Sequence, residues 1–323
     1  MFSRRLTFML LVVLSTACQR LAEAPAQEGL RINELQFVGS HNSYKKAMST
    51  RHRQALQQSN PQAAAALDYA HIPLQDQLDL GLRKLELDIF VSPSGGDFTV
   101  GHVQVIDMNS HCDTLSQCLQ QVRQWSDTHP SHVPIWISFN AKDATLEGLP
   151  DPLPFTGEIF DQLDQLLEAM LGDRLIRPRD IVNLQWPTID QARGKVLLIL
   201  DEQGPKRTMY LQAWQNRPMF TNVPAEHPAA AIMIINDPIA EQDNITRLVR
   251  QGFMVRTRAD ADTLEARRGD TRRREAAFAS GAQAISTDYY LPANPFGTDY
   301  TVQLPGRVRC NPVLTTPPCS IAE

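Results

Sequence analysis

Eight short apolar or β-branched segments, each running into polar residues, restrict this chain to a small set of folds. They are Leu35–Gly39, Lys84–Phe90, Phe98–Val103, Val133–Phe139, Lys195–Leu200, Ala230–Ile235, Gly252–Thr257 and Ala284–Thr287. Helical patterning separates most of them. Pro73 opens one helix, with Leu74, Leu78 and Leu82 on one side. Thr114 and Gln117 form a capping-box pattern ahead of Leu115, Cys118, Leu119, Val122 and Trp125. The run Ile159, Phe160, Leu163, Leu166, Leu167, Met170 and Leu171 predicts an amphipathic helix stopped at Gly172. Strands alternating with helices pair in parallel, because parallel neighbours need a crossover. A count of eight predicts an α/β fold, a (β/α)8 TIM-type barrel, with irregular or incomplete closure allowed. An open doubly wound sheet would want a glycine-rich phosphate turn after its first strand. Gly39-Ser40-His41-Asn42 is a different kind of sequence.

At 323 residues the chain accommodates such a barrel as a single unit, expected over 25–323. Residues 1–24 read as a secretory leader and short linker: Arg4 and Arg5 precede an apolar run from Leu6 to Leu14, followed by small residues up to Cys18. Cys18 is placed as in a bacterial lipoprotein signal, although Ser15 stands where leucine is usual; simple cleavage between Ala22 and Ala26 is the alternative. The chain is therefore expected to be exported, either anchored in the periplasm through Cys18 or secreted. The remaining cysteines, Cys112, Cys118, Cys310 and Cys319, are even in number and favour two disulfides in an oxidising compartment. Proximity prefers Cys112–Cys118 and Cys310–Cys319 among three possible pairings. A net charge of −5 argues against a nucleic-acid partner, and no obligate protein partner is evident.

Active sites of such barrels form at the carboxyl ends of the strands. Those ends carry His41-Asn42, Glu86 and Asp88, Gly101-His102, Asn140-Ala141-Lys142, Asp201-Glu202, Asn236-Asp237, Arg256 with Arg258 and Asp260, and Asp288. Glu86 and Asp88, spaced by two, point the same way from an apolar strand. They would repel each other and lose hydration unless a cation or salt bridges to Lys84 or an arginine relieved both costs. Oxygen ligands without cysteine favour calcium, with magnesium the less favoured alternative. His41 and His102 are candidates for general base and general acid, because the imidazole side chain suits proton transfer in both directions. Gly39-Ser40 and Gly101 beside them would leave room for a ligand. His52, His71, His111, His129, His132 and His227 are assigned no catalytic part. Arg267, Arg268, Arg272, Arg273 and Arg274 read first as a solvated helix face and second as an anion-attracting rim.

The segment Val38-Gly39-Ser40-His41-Asn42-Ser43-Tyr44 resembles the first catalytic segment of the phosphatidylinositol-specific phospholipases C. Glu86-Leu87-Asp88 and Gly101-His102 follow in the order expected of that family. Val255-Arg256-Thr257-Arg258-Ala259-Asp260, Ser280-Gly281-Ala282-Gln283 with Ser286-Thr287-Asp288-Tyr289, and Arg309-Cys310-Asn311-Pro312 resemble its bacterial calcium-dependent, C1-like branch. The similarity runs from about residue 32 to 319. It implies a phosphoric diester hydrolase that cleaves the glycerol-side phosphodiester of inositol lipids at a membrane surface. His41 and His102 would be the acid/base pair, and Asn42, Glu86 and Asp88 the calcium ligands, with Asn140 where related enzymes often place glutamate. That departure implies weaker calcium binding, or a ligand set completed by Asp201 or water. Lys142, Arg256, Arg258, Asp260 and Asp288 are the candidates for substrate and phosphate contacts. A substrate hydroxyl would attack phosphorus within the same molecule, giving diacylglycerol and a cyclic or hydrolysed inositol phosphate. Two other readings fit parts of this pattern: a glycerophosphodiester phosphodiesterase, and a non-catalytic lipoprotein that binds inositol lipids or glycans.

Overall fold

The computed structural model describes residues 29–319 and residue 321. The expected leader and Cys18 lie outside the described residues. Among the described residues eleven strands are present: β1 (Leu35–Ser40), β2 (Lys84–Val91), β3 (Phe98–Val100), β4 (Ile135–Ala141), β5 (Leu175–Ile176), β6 (Val196–Leu200), β7 (Met219–Thr221), β8 (Ile232–Ile234), β9 (Met254–Arg258), β10 (Ala284–Thr287) and β11 (Val308–Cys310). Parallel pairing runs β7-β6-β4-β2-β1-β10-β9-β8, a curled sheet of eight strands. No backbone ladder joins β7 to β8 among the described residues. A side chain spans that opening instead: Asn222 Oδ1 accepts the Ile234 N–H at 3.2 Å. The fold is thus a TIM-type barrel that is incompletely closed.

Two strands depart from the expected set. Phe98–Val103 is not a barrel strand. Its Phe98–Val100 core pairs antiparallel with β2, Ile89 opposite Val100, so the chain doubles back at the mouth instead of crossing over. The eighth barrel strand is Met219–Thr221, three residues long and directly after Pro218. A short apolar run carries no information about the direction of its partner, which is why the two were confused.

The inward positions of the strands divide into two levels. At the amino-terminal end Leu35, Phe37, Trp136, Leu197, Ile199, Ile232, Met254 and Ala284 form an apolar plug. Further along the same inward faces come Glu86, Asp88, Ser138, Asn140, Arg256, Arg258 and Ser286. Alternate positions face outward: Leu85, Leu87, Ile89, Ile135, Ile137, Phe139, Leu198 and Leu200 pack with helices Leu115–Thr128 and Gly157–Leu171. In the second of these Phe160, Leu163, Leu167 and Leu171 are buried, each removal from water contributing roughly 1.5–3 kcal/mol. The Thr114 cap holds the Gln117 N–H, but the Gln117 side chain reaches the Asp113 N–H rather than that of Thr114. The plug closes the barrel floor, so polar groups can gather only at the carboxyl end.

Gly39 sits opposite Lys84 where β1 and β2 approach most closely. A Cβ at Gly39 would lie 2.2 Å from Lys84 Cβ. The space expected there for a ligand is filled by Lys84, and that at Gly101 by Met108. Both expected disulfides are formed, Cys112–Cys118 and Cys310–Cys319.

Below β4, His132 is buried between two hydrogen bonds, Nδ1 to the Val133 carbonyl at 2.6 Å and Nε2 to Ser126 Oγ at 2.7 Å. Burial pushes its pKa down from 6.5 to about 4. Below pH 6.5 the unfolded chain takes up a proton at this site that the folded chain refuses until about pH 4. This contribution to stability is complete above pH 6.5 and is lost between 6.5 and 4. Denaturant titrations should show about 3 kcal/mol less stability at pH 4 than at pH 7 from this group. His132→Gln is expected to flatten that part of the profile, and an unchanged slope in the variant would refute the assignment.

Candidate active site

Glu86 anchors the mouth. It is 3% exposed, and its Oε2 accepts from Arg256 Nη2 at 2.9 Å and from Lys84 Nζ. Burial alone would raise its pKa, but Lys84 and then Arg256 hold the carboxyl well below the usual range. Lys84 in turn donates to the Ser40 carbonyl at 2.9 Å and to Ser286 Oγ at 3.0 Å, and burial next to Arg256 depresses it to about 8. Glu86 Oε1 faces the other way, toward Asn140 Nδ2 at 3.4 Å and His41 Nε2 at 3.7 Å. Asp88 stands two residues on, opposite Asn140 in the ladder. Its Oδ1 accepts from Asn140 Nδ2 at 2.8 Å, and its Oδ2 lies 3.3 Å from Lys142 Nζ. Salt bridges and a shared amide thus relieve the repulsion expected between the two carboxylates.

The turn after β1 brings His41 and Asn42 to this cluster. Asn42 takes a left-handed backbone conformation (φ 45°), which asparagine tolerates better than most residues. The Ser43 N–H donates to the Glu86 carbonyl at 2.9 Å and Ser43 Oγ accepts the Glu86 N–H at 2.8 Å, pinning the turn to β2. His41 Nδ1 lies 3.2 Å from Asp288 Oδ1. Burial and then Arg258 lower the His41 pKa, against the opposing pull of Asp288 and Glu86.

His102 reaches the site by the unexpected hairpin. The Gly101 N–H donates to the Asp88 carbonyl at 3.2 Å, and a tight turn bonds the His102 N–H to the Asp107 carbonyl at 3.0 Å. His102 Nδ1 then lies 3.2 Å from Asp107 Oδ2. Asp107 is buried and is also paired with buried Lys45, at 3.1 Å. The two imidazoles therefore have the same support: each is partly exposed (16% and 18%) with Nδ1 on a carboxylate exposed by 1% or less.

Arg258 is partly exposed at the rim; its Nη2 is 3.7 Å from Asp288 Oδ2, and its Nε donates to the Asp260 carbonyl at 2.9 Å. Two expected contact residues sit deeper. Arg256 is 3% exposed and engaged with Glu86, Ser286 and Asn236. Asp260 is fully buried, accepting from the Asp288 N–H at 2.9 Å, from Thr287 Oγ1 and from Tyr300 Oη at 3.3 Å. Burial and the neighbouring Asp288 charge push Asp260 up, while His41, His71 and Arg258 hold Asp288 down despite its burial. Asp260 supports Asp288 from below instead of facing the mouth. Asp201 lies beside Glu86 and Arg256, its pKa raised to about 6, first by burial. Glu202 turns aside to the Ala141 N–H and Lys206, and Asp237 caps its own turn. Arg267, Arg268 and Arg272 are exposed, as on a solvated face, whereas Arg273 and Arg274 are half-buried and donate to the Asn236 and Thr301 carbonyls.

Asp107, Lys45, Tyr69 and His71 complete the surroundings and were not singled out from the sequence. His71 Nε2 lies 2.6 Å from the His41 carbonyl and 3.5 Å from Asp288 Oδ1. The only advance signal was the spacing of Asp107 five residues after His102.

Among the described residues, no three His, Cys, Asp or Glu side chains form a ready cage for a metal. The donor set nevertheless fits one hard cation. Asn42 Oδ1 is buried with no partner, and Glu86 Oε1 and Asp88 Oδ1 converge on the Asn140 amide. Asn140 Nδ2 sits where a cation would satisfy both carboxylates, and turning that amide over would offer its oxygen instead.

Solved structures share this fold. A calcium-dependent phosphoinositol-specific phospholipase C from a Pseudomonas species covers 89% of this chain and 97% of its own, at 18% identity and a TM-score of 0.56. A calcium-dependent phosphatidylinositol-specific phospholipase C from Streptomyces antibioticus covers 81% of this chain and 96% of its own, at 19% identity and TM-score 0.56. A phosphatidylinositol-specific phospholipase C from Listeria monocytogenes covers 81% and 90%, at 12% identity and TM-score 0.52. No curated protein matches the chain at a significant level. The family described as phosphoinositide phospholipase C, Ca2+-dependent, matches residues 30–101 and 97–312. The chain belongs to that family and is a phosphoric diester hydrolase.

Proposed function

We propose that the chain cleaves the glycerol-side phosphodiester of phosphatidylinositol-type lipids, with His41 and His102 exchanging the protons. The matched pair of histidine–aspartate contacts, both at 3.2 Å with buried carboxylates, carries this reading. An N–H on Nδ1 donated to a carboxylate fixes the tautomer and leaves Nε2 to work at the mouth. His41, whose pKa is lowered by burial and then by Arg258, takes the proton from an inositol hydroxyl, which attacks phosphorus within the same molecule. His102 gives a proton to the departing diacylglycerol oxygen. A cyclic inositol phosphate results, and water can open it by the reverse proton traffic. Lys142 and Arg258, both at the rim, would attract the phosphodiester charge.

Asn42, Glu86, Asp88 and Asn140 would hold calcium, which supplies charge neutralisation to the phosphodiester when bound. Glu86 offers only one oxygen, because Lys84 and Arg256 hold the other. Two carboxylates, one of them already neutralised within the protein, support weak binding. Export is favoured by the two disulfides, which persist in oxidising compartments. A membrane surface is the proposed partner. Val105, Leu146, Leu153 and Ile239 are exposed on loops, and Leu264 is exposed at the start of the helix Leu264–Arg268 that follows β9.

Purified protein should release inositol phosphate from phosphatidylinositol faster with calcium than with chelator. His41→Ala and His102→Ala should each lower kcat by at least about a hundredfold. Unchanged turnover in either variant would show that the site lies elsewhere. Asn140→Glu should tighten calcium binding by about tenfold in calorimetry, since a third carboxylate adds charge to the ligand set. Val105→Asp with Leu146→Asp should reduce cleavage of vesicle-borne lipid by about tenfold. Hydrolysis of a water-soluble inositol phosphodiester should be unaffected by those two changes; an equal loss on both substrates would refute the membrane role of the rim.

A further inference from the structure

The geometry points to His71 as a positioning residue of the reaction centre: its Nε2–H ties the His41 backbone to the carboxylate that orients the His41 ring. The inference rests on the reading of His41 as an acid/base residue. His71 belongs to no strand or helix, and its side chain is 1% exposed. Nε2 lies 2.6 Å from the His41 carbonyl oxygen and 3.5 Å from Asp288 Oδ1, the same oxygen that lies 3.2 Å from His41 Nδ1. Both neighbours of Nε2 are pure acceptors, so that nitrogen carries the hydrogen. Nδ1 is buried with no partner. A hydrogen on Nδ1 would be a buried donor without an acceptor, so the surroundings fit the tautomer with its hydrogen on Nε2.

His71 is itself fixed on every side. Its N–H donates to the Lys45 carbonyl at 2.9 Å, and its own carbonyl accepts from His111 Nε2 at 2.7 Å. Tyr290 stacks on the ring at 5.5 Å, and Tyr69 lies against both His71 and His41 at 5.7 Å. His71 thereby locates His41 twice, through its main chain and through Asp288. The Lys45 that receives the His71 N–H also pairs with Asp107, the support of His102. Lys45 therefore links the two histidine supports, and a shift at His71 moves the general base relative to the general acid.

The test compares His71→Phe, which keeps the stacking but removes the donor, with His71→Gln, whose amide N–H reaches the Nε2 position. On phosphatidylinositol in mixed micelles, His71→Phe should lower kcat by about tenfold to a hundredfold, as expected for a displacement of the order of 1 Å. KM should stay within about twofold, because the residue does not touch substrate. His71→Gln should recover kcat to within about fivefold of the parent. Equal losses in both variants, or a change confined to KM, would overturn the assignment. Should His71→Phe fail to fold, long-range 15N–1H NMR of the parent decides: a hydrogen on His71 Nε2 supports the proposal, and the opposite tautomer refutes it. His41→Ala is run alongside. Full activity there removes the reading beneath, whereas loss of activity in His41→Ala with a fully active His71→Phe removes only this inference.

Discussion

A charged carboxylate that must stay ionised out of water governs the architecture of this mouth. Glu86 sits on the inner face of β2, just above the apolar floor, where an isolated charge would cost several kcal/mol. Lys84 and Arg256 answer that cost from one side, and the Asn140 amide and His41 border the other. Each of those partners has a further consequence. Lys84 requires Gly39, because β1 has no room for a side chain beside it. Arg256 on β9 and Asn140 on β4 must converge on β2 from opposite sides of the curled sheet. The barrel is therefore held at its carboxyl end by charge and hydrogen bonds, and at its amino end by packing.

The same economy shapes the chemistry. Removing either basic partner of Glu86 would leave a buried charge short of compensation, so these cations are part of the scaffold and cannot also leave to meet substrate. On the proposed reading, phosphate recognition would fall instead to Lys142 and Arg258, which are more exposed. Oriented imidazoles need rigid acceptors, and both acceptors, Asp288 and Asp107, are themselves clamped by buried neighbours: Asp260 and His71 for the first, Lys45 for the second. Precision at the mouth is thus inherited from groups one layer below it.

Much of the barrel was legible from the sequence because inward and outward positions alternate along each strand, and helical spacing separates the strands. The acidic pair and both histidines stood out because they interrupt apolar runs at strand ends. What failed to show did so for physical reasons. The residues Phe98–Val103 have a strand's composition, but composition does not say whether the chain will cross over or turn back. Met219–Thr221 is too short to produce a period. His71, Asp107 and Lys45 lie in irregular segments, where no spacing marks a shared face, and they become neighbours only through the folding of three separate loops. Gly39 and Gly101 looked like openings for a ligand, whereas each accommodates a side chain of the protein itself.

The account stands on a single arrangement: Asn42, Glu86, Asp88 and Asn140 around one cation, with the inositol ring between His41 and His102. A crystal structure of the protein soaked with calcium and myo-inositol tests this most directly. The expected result is an ion bonded to Asn42 Oδ1, Glu86 Oε1 and Asp88, with the Asn140 amide turned over, and ring hydroxyls within hydrogen-bond reach of both Nε2 atoms. An ion bound elsewhere, or an inositol that touches neither imidazole, would contradict it.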